Sequence, residues 1–504
     1  MKTYKSYYNQ ITKEELFEGL LGNGLFANKI PSVFTSEQFF DFVLKKDPGF
    51  PKKGSYDFIR YENMRNINVP RLLAIPNPIG YHNLIKTIVD NWDELTTFIS
   101  EKTSNQLYKV SKVHIRKKKD SKSLFEMNYK TYEDEPNKDV DLIIGKRYKV
   151  HGDISNCFPS IYSHSIPWAL LGKATAKRKS NDKLLWQNQL DFYVRNIKNQ
   201  ETNGLLIGPH SSNLISELIL ISIDHELVKM KYKFTRHIDD YVCYTKHKEE
   251  AEKFLVDLNH ELKKYELSLN HKKSIIDELP HSFVSSWVRK LKNHRFKLYK
   301  NEEGKEFQSL KETEVFLDLA IDLMHSEADN SAILNYALNM LSKKPLNSHA
   351  VNYLVKRVHH LCYIYPYLIQ IIDKLVFTPF KVMKSGKKAI AETMFDLGIE
   401  KQSYEACSYS LFFALKYNFK IDGFNMRYES FKSDDCVFMT LAYLYSKQQG
   451  KCLTWFYVRA LSLQKKDFDK YWVYVYEVLK EINLKGPYKA MKKNKVSFIK
   501  PEYH

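Results

Sequence analysis

The chain has 504 residues, 43% of them hydrophobic and 14% aromatic, which is enough for about two to four domains with buried cores. This composition excludes a disordered chain, a collagen-like repeat and a small disulfide-stapled scaffold. Lys and Arg outnumber Asp and Glu by 78 to 59, and the net charge of +19 favours a polyanionic partner such as nucleic acid.

Cysteine spacing and hydropathy bear on the compartment. The six cysteines are far apart and form no C-x-x-C pair, so neither a zinc site nor a disulfide framework is indicated. The N-terminus lacks the apolar segment of a secretory signal, and the longest apolar runs fall short of the roughly 20 residues that span a bilayer. We therefore expect a cytoplasmic protein with no membrane partner.

The first third of the chain shows short helical and extended patterns. Residues 1 to about 70 predict a lead-in region, and Tyr4, Tyr7 and Tyr8 are expected to lie in a mobile N-terminus. Residues 71–84 are punctuated by prolines and predict an extended segment that runs into a helix. A basic stretch at 109–119 follows, and the highly charged residues 120–141 predict an exposed loop or insertion.

The pattern changes twice in the remainder. From residue 148 to about 277, strand-like and helix-like patterns alternate, which indicates an α/β unit. Residues 310–490 are a succession of apolar runs at helical spacing with few glycines, which predicts an all-helical domain. Helix pairs stacked as a solenoid are one arrangement of such runs, although no fixed repeat period is found. The domain boundary is predicted near residue 285.

Two acidic segments in the α/β unit suggest chemistry. One strand-like run ends at Asp153, and Asp239 and Asp240 lie between two β-rich runs, as at the tip of a hairpin. Because neighbouring residues on a strand point to opposite faces, only one of Asp239 and Asp240 is expected to face Asp153. Carboxylates brought together from separate strands repel each other, and Mg²⁺ relieves that repulsion. A pair of such ions is the arrangement used in phosphoryl displacement.

A third segment lies between the two acidic ones. Gly204 and Gly208 bracket a loop that continues through Pro209 into a helix that contains Ser212, which would let backbone approach an anionic ligand. Each signal is weak by itself. The glycine segment is more often a tight turn, and the second Asp-Asp pair, at 434–435, predicts only a surface turn or helix start.

The order of these segments is more specific. Asp153-Ile154 with Phe158, then the loop from Gly204 to Ser212, then Asp239-Asp240, then Leu-Asn-His-Lys-Lys-Ser at 269–274 together resemble the palm of a reverse transcriptase. The resemblance covers about residues 71–280. It implies an α/β fingers and palm domain over residues 1–285, with the lead-in at 1–70, followed by an all-α, HEAT-like C-terminal domain over 286–504.

A long helical region in place of a small thumb is similar to the abortive-infection reverse transcriptases of the AbiK and AbiA kind, including prophage-encoded phage-defence members. In contrast, His237-Ile238 replaces the Tyr-Ala pair that commonly precedes the two aspartates. The resemblance implies that Asp153, Asp239 and the backbone carbonyl of Ile154 bind two Mg²⁺ ions, with Mn²⁺ as an alternative. It gives Asp240 a supporting role.

The resemblance also implies nucleotide-binding roles. Phe158 would lie under the sugar and favour deoxynucleotides, and its alternative is a core aromatic. Gly208, Pro209 and Ser212 would support the incoming nucleotide. Lys273 would act as a general acid near the leaving pyrophosphate, or be a solvated charge. Arg71 and the cluster that contains Arg116 would clamp the triphosphate or the nucleic-acid backbone, with a solvated basic face as the alternative.

The function implied is a phage-defence DNA polymerase that adds dNTPs without a template and is primed by a hydroxyl of its own chain. The partners implied are dNTPs, a single-stranded DNA product attached covalently to the protein, and further copies of the chain in a trimer or hexamer. Two alternatives stay open. One is an RNA-templated reverse transcriptase of the retron type, and the other is a non-catalytic nucleic-acid-binding scaffold.

Overall fold

The computed structural model describes residues 4–52, 54–65, 69–112, 138–300, 302–327, 330–423 and 425–504. The basic cluster that contains Arg116, together with most of the charged segment 120–141, lies outside these residues. None of the described helices is both long enough and apolar enough to cross a membrane.

The N-terminal part consists of short helices around a two-stranded antiparallel ribbon. Its elements are α1 (Tyr4–Tyr8), α2 (Lys13–Phe17), α3 (Glu37–Lys46), β1 (Phe58–Asn63), β2 (Arg71–Pro76), α4 (Pro78–Asp90), α5 (Trp92–Thr103) and α6 (Lys138–Leu142). The Asn77 side chain caps α4 by accepting from the Ile79 N–H at 3.0 Å, and Pro78 occupies the first helical position. The prediction of an extended segment that runs into a helix is confirmed.

A four-stranded antiparallel sheet lies at the centre of the α/β unit, in the order β4–β5–β3–β6. The strands are β3 (Tyr148–Asp153), β4 (Phe234–His237), β5 (Asp240–Thr245) and β6 (Ile275–Glu278). The helices are α7 (Cys157–Ser160), α8 (Ser165–Leu171), α9 (Lys173–Arg178), α10 (Trp186–Asn196), α11 (His210–Lys229) and α12 (Lys248–Lys263). Helix α12 packs on β3 and β5 and against α11. The predicted alternation of strands and helices is confirmed.

The C-terminal part is mainly helical. Its helices are α13 (Ser286–Asn293), α14 (Leu310–Ser326), α15 (Ala332–Leu341), α16 (Ser348–Ile364), α17 (Ile369–Ile372), α18 (Lys384–Glu400), α19 (Tyr404–Tyr417), α20 (Met426–Lys432), α21 (Cys436–Gln448), α22 (Thr454–Lys466), α23 (Trp472–Val478) and α24 (Gly486–Lys493). Helix α18 packs on α19, α19 on α21, and α21 on α23. Asp435 begins α21 by accepting from the Phe438 N–H at 2.7 Å, which confirms the helix-start alternative.

An all-helical assignment for residues 286–504 is wrong in one place. The short antiparallel strands β7 (Leu298–Lys300) and β8 (Glu306–Gln308) precede α14. Tyr299 pairs with Phe307 across them, and Gly304 adopts a φ of 76° in the connection. A HEAT-like repeat stays a prediction.

The N-terminal lead-in is part of the core. Tyr4 and Tyr8 are buried, the Tyr4 hydroxyl accepts from the Ser111 N–H at 2.7 Å, and the Tyr8 ring lies 5.9 Å from that of Trp92. The expectation of a mobile N-terminus is therefore wrong for α1. Burial of its aromatic side chains stabilises the folded state by more than the conformational entropy lost when the chain end becomes ordered.

Candidate active site

The ends of β3 and β5 bring two acids together. The antiparallel register places Asp153, the last residue of β3, directly opposite Asp240, the first residue of β5. Side chains of directly opposed residues lie on the same face of a sheet. Asp153 is buried, and its carbonyl accepts from the Asn270 N–H at 2.7 Å, which ties the strand to the segment that precedes Lys273.

The third acid lies in the turn of the β4–β5 hairpin. His237 pairs with Asp240, so Ile238 and Asp239 form a two-residue turn, and Ile238 has the positive φ of 56° that such turns use. The Asp239 carbonyl accepts from the Ile154 N–H at 3.2 Å. Strand alternation predicts that only one of Asp239 and Asp240 lies near Asp153. The rule does not apply to Asp239, because this residue is in the turn and not on the strand.

The mutual repulsion of the acids disfavours their charged forms and so raises their pKa values. Burial, the charge of Asp239 and a hydrogen bond with Asp153 raise the pKa of Asp240 to about 7. The Asp240 side chain is exposed, so we attribute this shift mainly to the two neighbouring carboxyls. Burial and the charge of Asp153 raise the pKa of Asp239, and Lys273 and Arg71 act in the opposite direction. The three acids therefore form one electrostatic unit.

Two cations face this unit. The Lys273 ammonium lies 3.6 Å from a carboxylate oxygen of Asp153, and two thirds of its side chain is exposed. Arg71 begins β2, is exposed, and interacts electrostatically with Asp239. The structure thus brings Lys273 and Arg71 near the acids, whereas Arg116 lies outside the described residues.

The glycine loop is fixed against the strand that carries Arg71. Gly208 has a φ of 134°, and a β-carbon at this position would lie 2.9 Å from the Ala74 carbonyl oxygen of β2. The Ala74 N–H donates to the Ile207 carbonyl at 2.8 Å. Pro209 immediately precedes α11, and Ser212 lies buried in the first turn of that helix. Only glycine fits this position without displacing β2.

Phe158 lies in α7, between Asp153 and the glycine loop in sequence. It is half-buried and packs against the hydrophobic core, and its carbonyl accepts from the Leu205 N–H at 2.8 Å. This contact joins the segment after Asp153 to the loop that ends at Gly208. Core packing accounts for part of the ring, and the role of a sugar gate stays a prediction.

Sequence reasoning missed a buried ion cluster behind the turn. The Arg236 side chain on β4 has no exposed surface and lies between Glu217 and Asp224 of α11. Its guanidinium donates to Glu217 at 2.9 and 3.0 Å and to Asp224 at 2.7, 2.9 and 3.0 Å. It also donates to the Ile238 carbonyl at 3.0 Å, so it supports the turn that carries Asp239. Two acids seven residues apart on one helix share a face, and this was the available signal.

Comparison with known proteins assigns the class of this domain. Residues 95–292 match the model of the family described as reverse transcriptase (RNA-dependent DNA polymerase). The matched range contains Asp153, Asp239, Asp240 and Lys273, whereas Arg71 precedes it. The match supports a reverse-transcriptase-like domain of the nucleotidyltransferase class over these residues.

Solved structures give only distant similarity. Apo telomerase from Candida tropicalis is 12% identical with a TM-score of 0.30, over 75% of this chain and 68% of that one. Telomerase from Candida albicans in complex with the TWJ fragment of telomeric RNA is 10% identical with a TM-score of 0.29, over 86% and 69%. A comparison with curated proteins found no match.

Proposed function

We propose that this chain is a divalent-metal-dependent DNA polymerase of the reverse-transcriptase type. The observation that carries the proposal is the meeting of Asp153 and Asp240 across β3 and β5, with Asp239 in the adjoining turn, inside the matched domain. Three hard carboxylate donors that repel one another suit Mg²⁺ or Mn²⁺.

The oxygen donors are of the kind that Mg²⁺ and Mn²⁺ prefer, but they are not arranged in advance as a metal site. Within the described part of the chain, no group of three or more His, Cys, Asp or Glu side chains is arranged as a ready metal site. Asp153, Asp239 and the Ile154 carbonyl would hold the ions, with Asp240 in support. When bound, two such ions activate a hydroxyl and neutralise charge on the triphosphate.

The residues of the chain would then position the nucleotide. Arg71 and Lys273 are exposed beside the acids and would meet phosphate oxygens, and Lys273 would deliver a proton to the leaving pyrophosphate. Gly208, Pro209 and Ser212 would shape the nucleotide site, and Phe158 would favour a deoxyribose. Arg116 keeps its proposed role in binding the triphosphate.

We further propose that synthesis is template-independent and protein-primed, that it serves phage defence, and that the protein forms a trimer or hexamer with the DNA product attached. The long helical region after the palm, in place of a small thumb, supports this reading over a retron-like enzyme. Burial of Tyr4 and Tyr8 argues against either hydroxyl as the primer. The chain has 34 tyrosines, and the others stay candidates for the primer.

The test is to incubate purified protein with Mg²⁺ and labelled dNTPs, without template or primer. Covalent label that survives denaturation and is absent from Asp239→Asn supports protein-primed, untemplated synthesis. Asp434→Asn is the matched control, because Asp434 belongs to the second Asp-Asp pair and is exposed. Label that appears only after RNA is added supports the retron-like alternative. Absence of label with Mg²⁺ and with Mn²⁺, together with phage protection retained by Asp153→Ala, supports the alternative of a non-catalytic scaffold.

A further inference from the structure

A large cavity lies apart from the catalytic carboxylates. It measures about 880 Å³, is partly open, and is lined by residues of α8, α9 and α10, by the segment just before α8, and by Lys52 and Gly54. Asp153, Asp239 and Asp240 do not line it. Cavities of about 300–1,000 Å³ are typical of sites for ligands of drug or nucleotide size.

Aromatic rings form much of its wall. Tyr162, Trp168, Phe192 and Tyr193 line the cavity together with His164. The Tyr162 ring lies 4.9 Å from the imidazole of His164 at 86° and 5.5 Å from the Trp168 ring. Tyr162, Phe192 and Tyr193 are partly exposed. Exposed aromatic faces are the surfaces on which unpaired nucleobases stack.

The charge of the lining favours an anion. Lys52, Lys177 and Lys183 are exposed at the cavity, and Arg195 is also part of its lining. The opposing acids are Asp182 and Asp191, and Asp191 is already paired within the protein. The three lysines are therefore available to a phosphate group.

A buried carboxylate orients the imidazole. The His164 Nδ1 lies 2.8 Å from an Asp191 oxygen, and Arg195 Nε lies 3.4 Å from the other. Burial raises the pKa of Asp191, but hydrogen bonds, chiefly from His164, and the charge of Arg195 outweigh it and lower that pKa. The ionised carboxylate only accepts, so Nδ1 carries the hydrogen and the ring is held in one orientation. Nε2 is then the ring nitrogen available to a ligand, and His164 is 37% exposed.

We propose that this cavity binds a nucleotide, with the base against the Tyr162 and His164 rings and the phosphate on Lys177 and Lys183. The same chemistry is offered by a free nucleotide and by an unpaired nucleotide of a strand. The site lies beside the glycine loop in the fold, because the Ser163 N–H donates to Thr202 at 2.8 Å and the Gly204 N–H to Ile161 at 2.7 Å. This site goes beyond the proposed polymerase and does not depend on its activity.

Binding is measured in a protein that carries Asp153→Asn and Asp239→Asn, in EDTA, so that metal-dependent binding at the acids is removed. The probes are dAMP, by calorimetry, and a fluorescein-labelled deoxyadenosine oligonucleotide, by polarisation. We expect Tyr162→Ala and His164→Ala each to weaken binding by about 5- to 100-fold. The Lys177→Gln/Lys183→Gln double variant should lower the salt slope of oligonucleotide binding by about 1.4. His359→Ala is the matched histidine control, because its Nε2 contacts Thr393 at 2.7 Å outside the cavity.

The outcomes separate the sources of the ligand. Weakened binding of both probes indicates a site for free nucleotides, and weakened binding of the oligonucleotide alone indicates a site for a strand. Affinities that are equal in all cavity variants and in the control overturn the proposal. If His164→Ala is misfolded, the lysine double variant decides, because both lysines are exposed and their replacement leaves the core intact.

Discussion

The buried guanidinium of Arg236 neutralises two carboxylates of α11 behind the turn that carries Asp239. Replacing Arg236 with methionine leaves Glu217 and Asp224 without a countercharge, although their side chains are only 5% and 0% exposed. Removing one partner of a buried pair costs about 3–5 kcal/mol. Because two carboxylates lose their partner and the Ile238 carbonyl loses a donor, we expect Arg236→Met to reach the upper part of that range.

Hydrogen–deuterium exchange measures this loss where it occurs. If the β4–β5 hairpin opens more readily by about 4–5 kcal/mol, its most protected amides should exchange about 1,000 to 5,000 times faster. Arg357→Met is the matched control, because Arg357 lies 3.0 Å from Asp318 with both side chains partly exposed, and such pairs contribute about 1 kcal/mol or less. Equal protection of the hairpin in Arg236→Met and in the parent protein would refute the reasoning.

The pH dependence of this loss has a defined sign. Burial raises the pKa of Asp224, and Arg236 holds that rise in check. Without Arg236 the pKa rises further, and a raised pKa in the folded state favours folding only at low pH. The deficit of Arg236→Met should therefore be largest near neutral pH and shrink as the pH falls towards about 4. A deficit that grows on acidification would contradict the assignment.

Three further predictions concern single residues. Gly208→Ala should destabilise the protein by about 2 kcal/mol or more, since its φ is 134° and its β-carbon would approach β2. Gly304→Ala, with a φ of 76° and open space around it, should cost about 1 kcal/mol, so equal shifts in the thermal unfolding midpoint would exclude the steric argument. Phe158→Ala should reduce discrimination against rNTPs by up to about 100-fold in the incorporation assay, and unchanged discrimination would remove the gate. Burial raises the pKa of Glu405 to about 8, so stability should fall as the pH rises from about 4.5 to 8. The same pH series of unfolding midpoints should be flatter for Glu405→Gln, and an unchanged slope would assign the pH dependence to other groups.

Local patterns predict the palm sheet well because its strands follow local rules. Alternation predicts that β3 ends at Asp153, and the β-rich runs on either side of Asp239 predict the hairpin. Alternation does not predict how the turn places its acid. The left-handed backbone of Ile238 holds Asp239 beside the Asp153–Asp240 pair, and no propensity rule assigns a positive φ to a β-branched residue.

The polar contacts between distant segments were beyond sequence reasoning for a different reason. The Asn63 amide donates to Glu405 at 2.6 Å and the Asn77 amide to Asp469 at 2.7 Å, across separations of 342 and 392 residues. Single-sequence patterns report local periodicity and carry no signal for such pairs. The change of periodicity near residue 285 thus indicates where the helical region begins. It does not indicate which surfaces of the N-terminal part these helices contact.

These contacts bear on how the nucleotide site is positioned. Strand β2, which begins at Arg71 and abuts Gly208, pairs with β1, and both ends of the ribbon are held by helical residues of the C-terminal part. The Asp57 N–H donates to Asp469 at 3.2 Å at one end, and the Met64 N–H donates to Glu405 at 2.7 Å at the other. A buried group that loses its partner costs about 1–3 kcal/mol. The helical part therefore helps to position the proposed nucleotide site, because it anchors the ribbon that carries Arg71 and contacts the glycine loop.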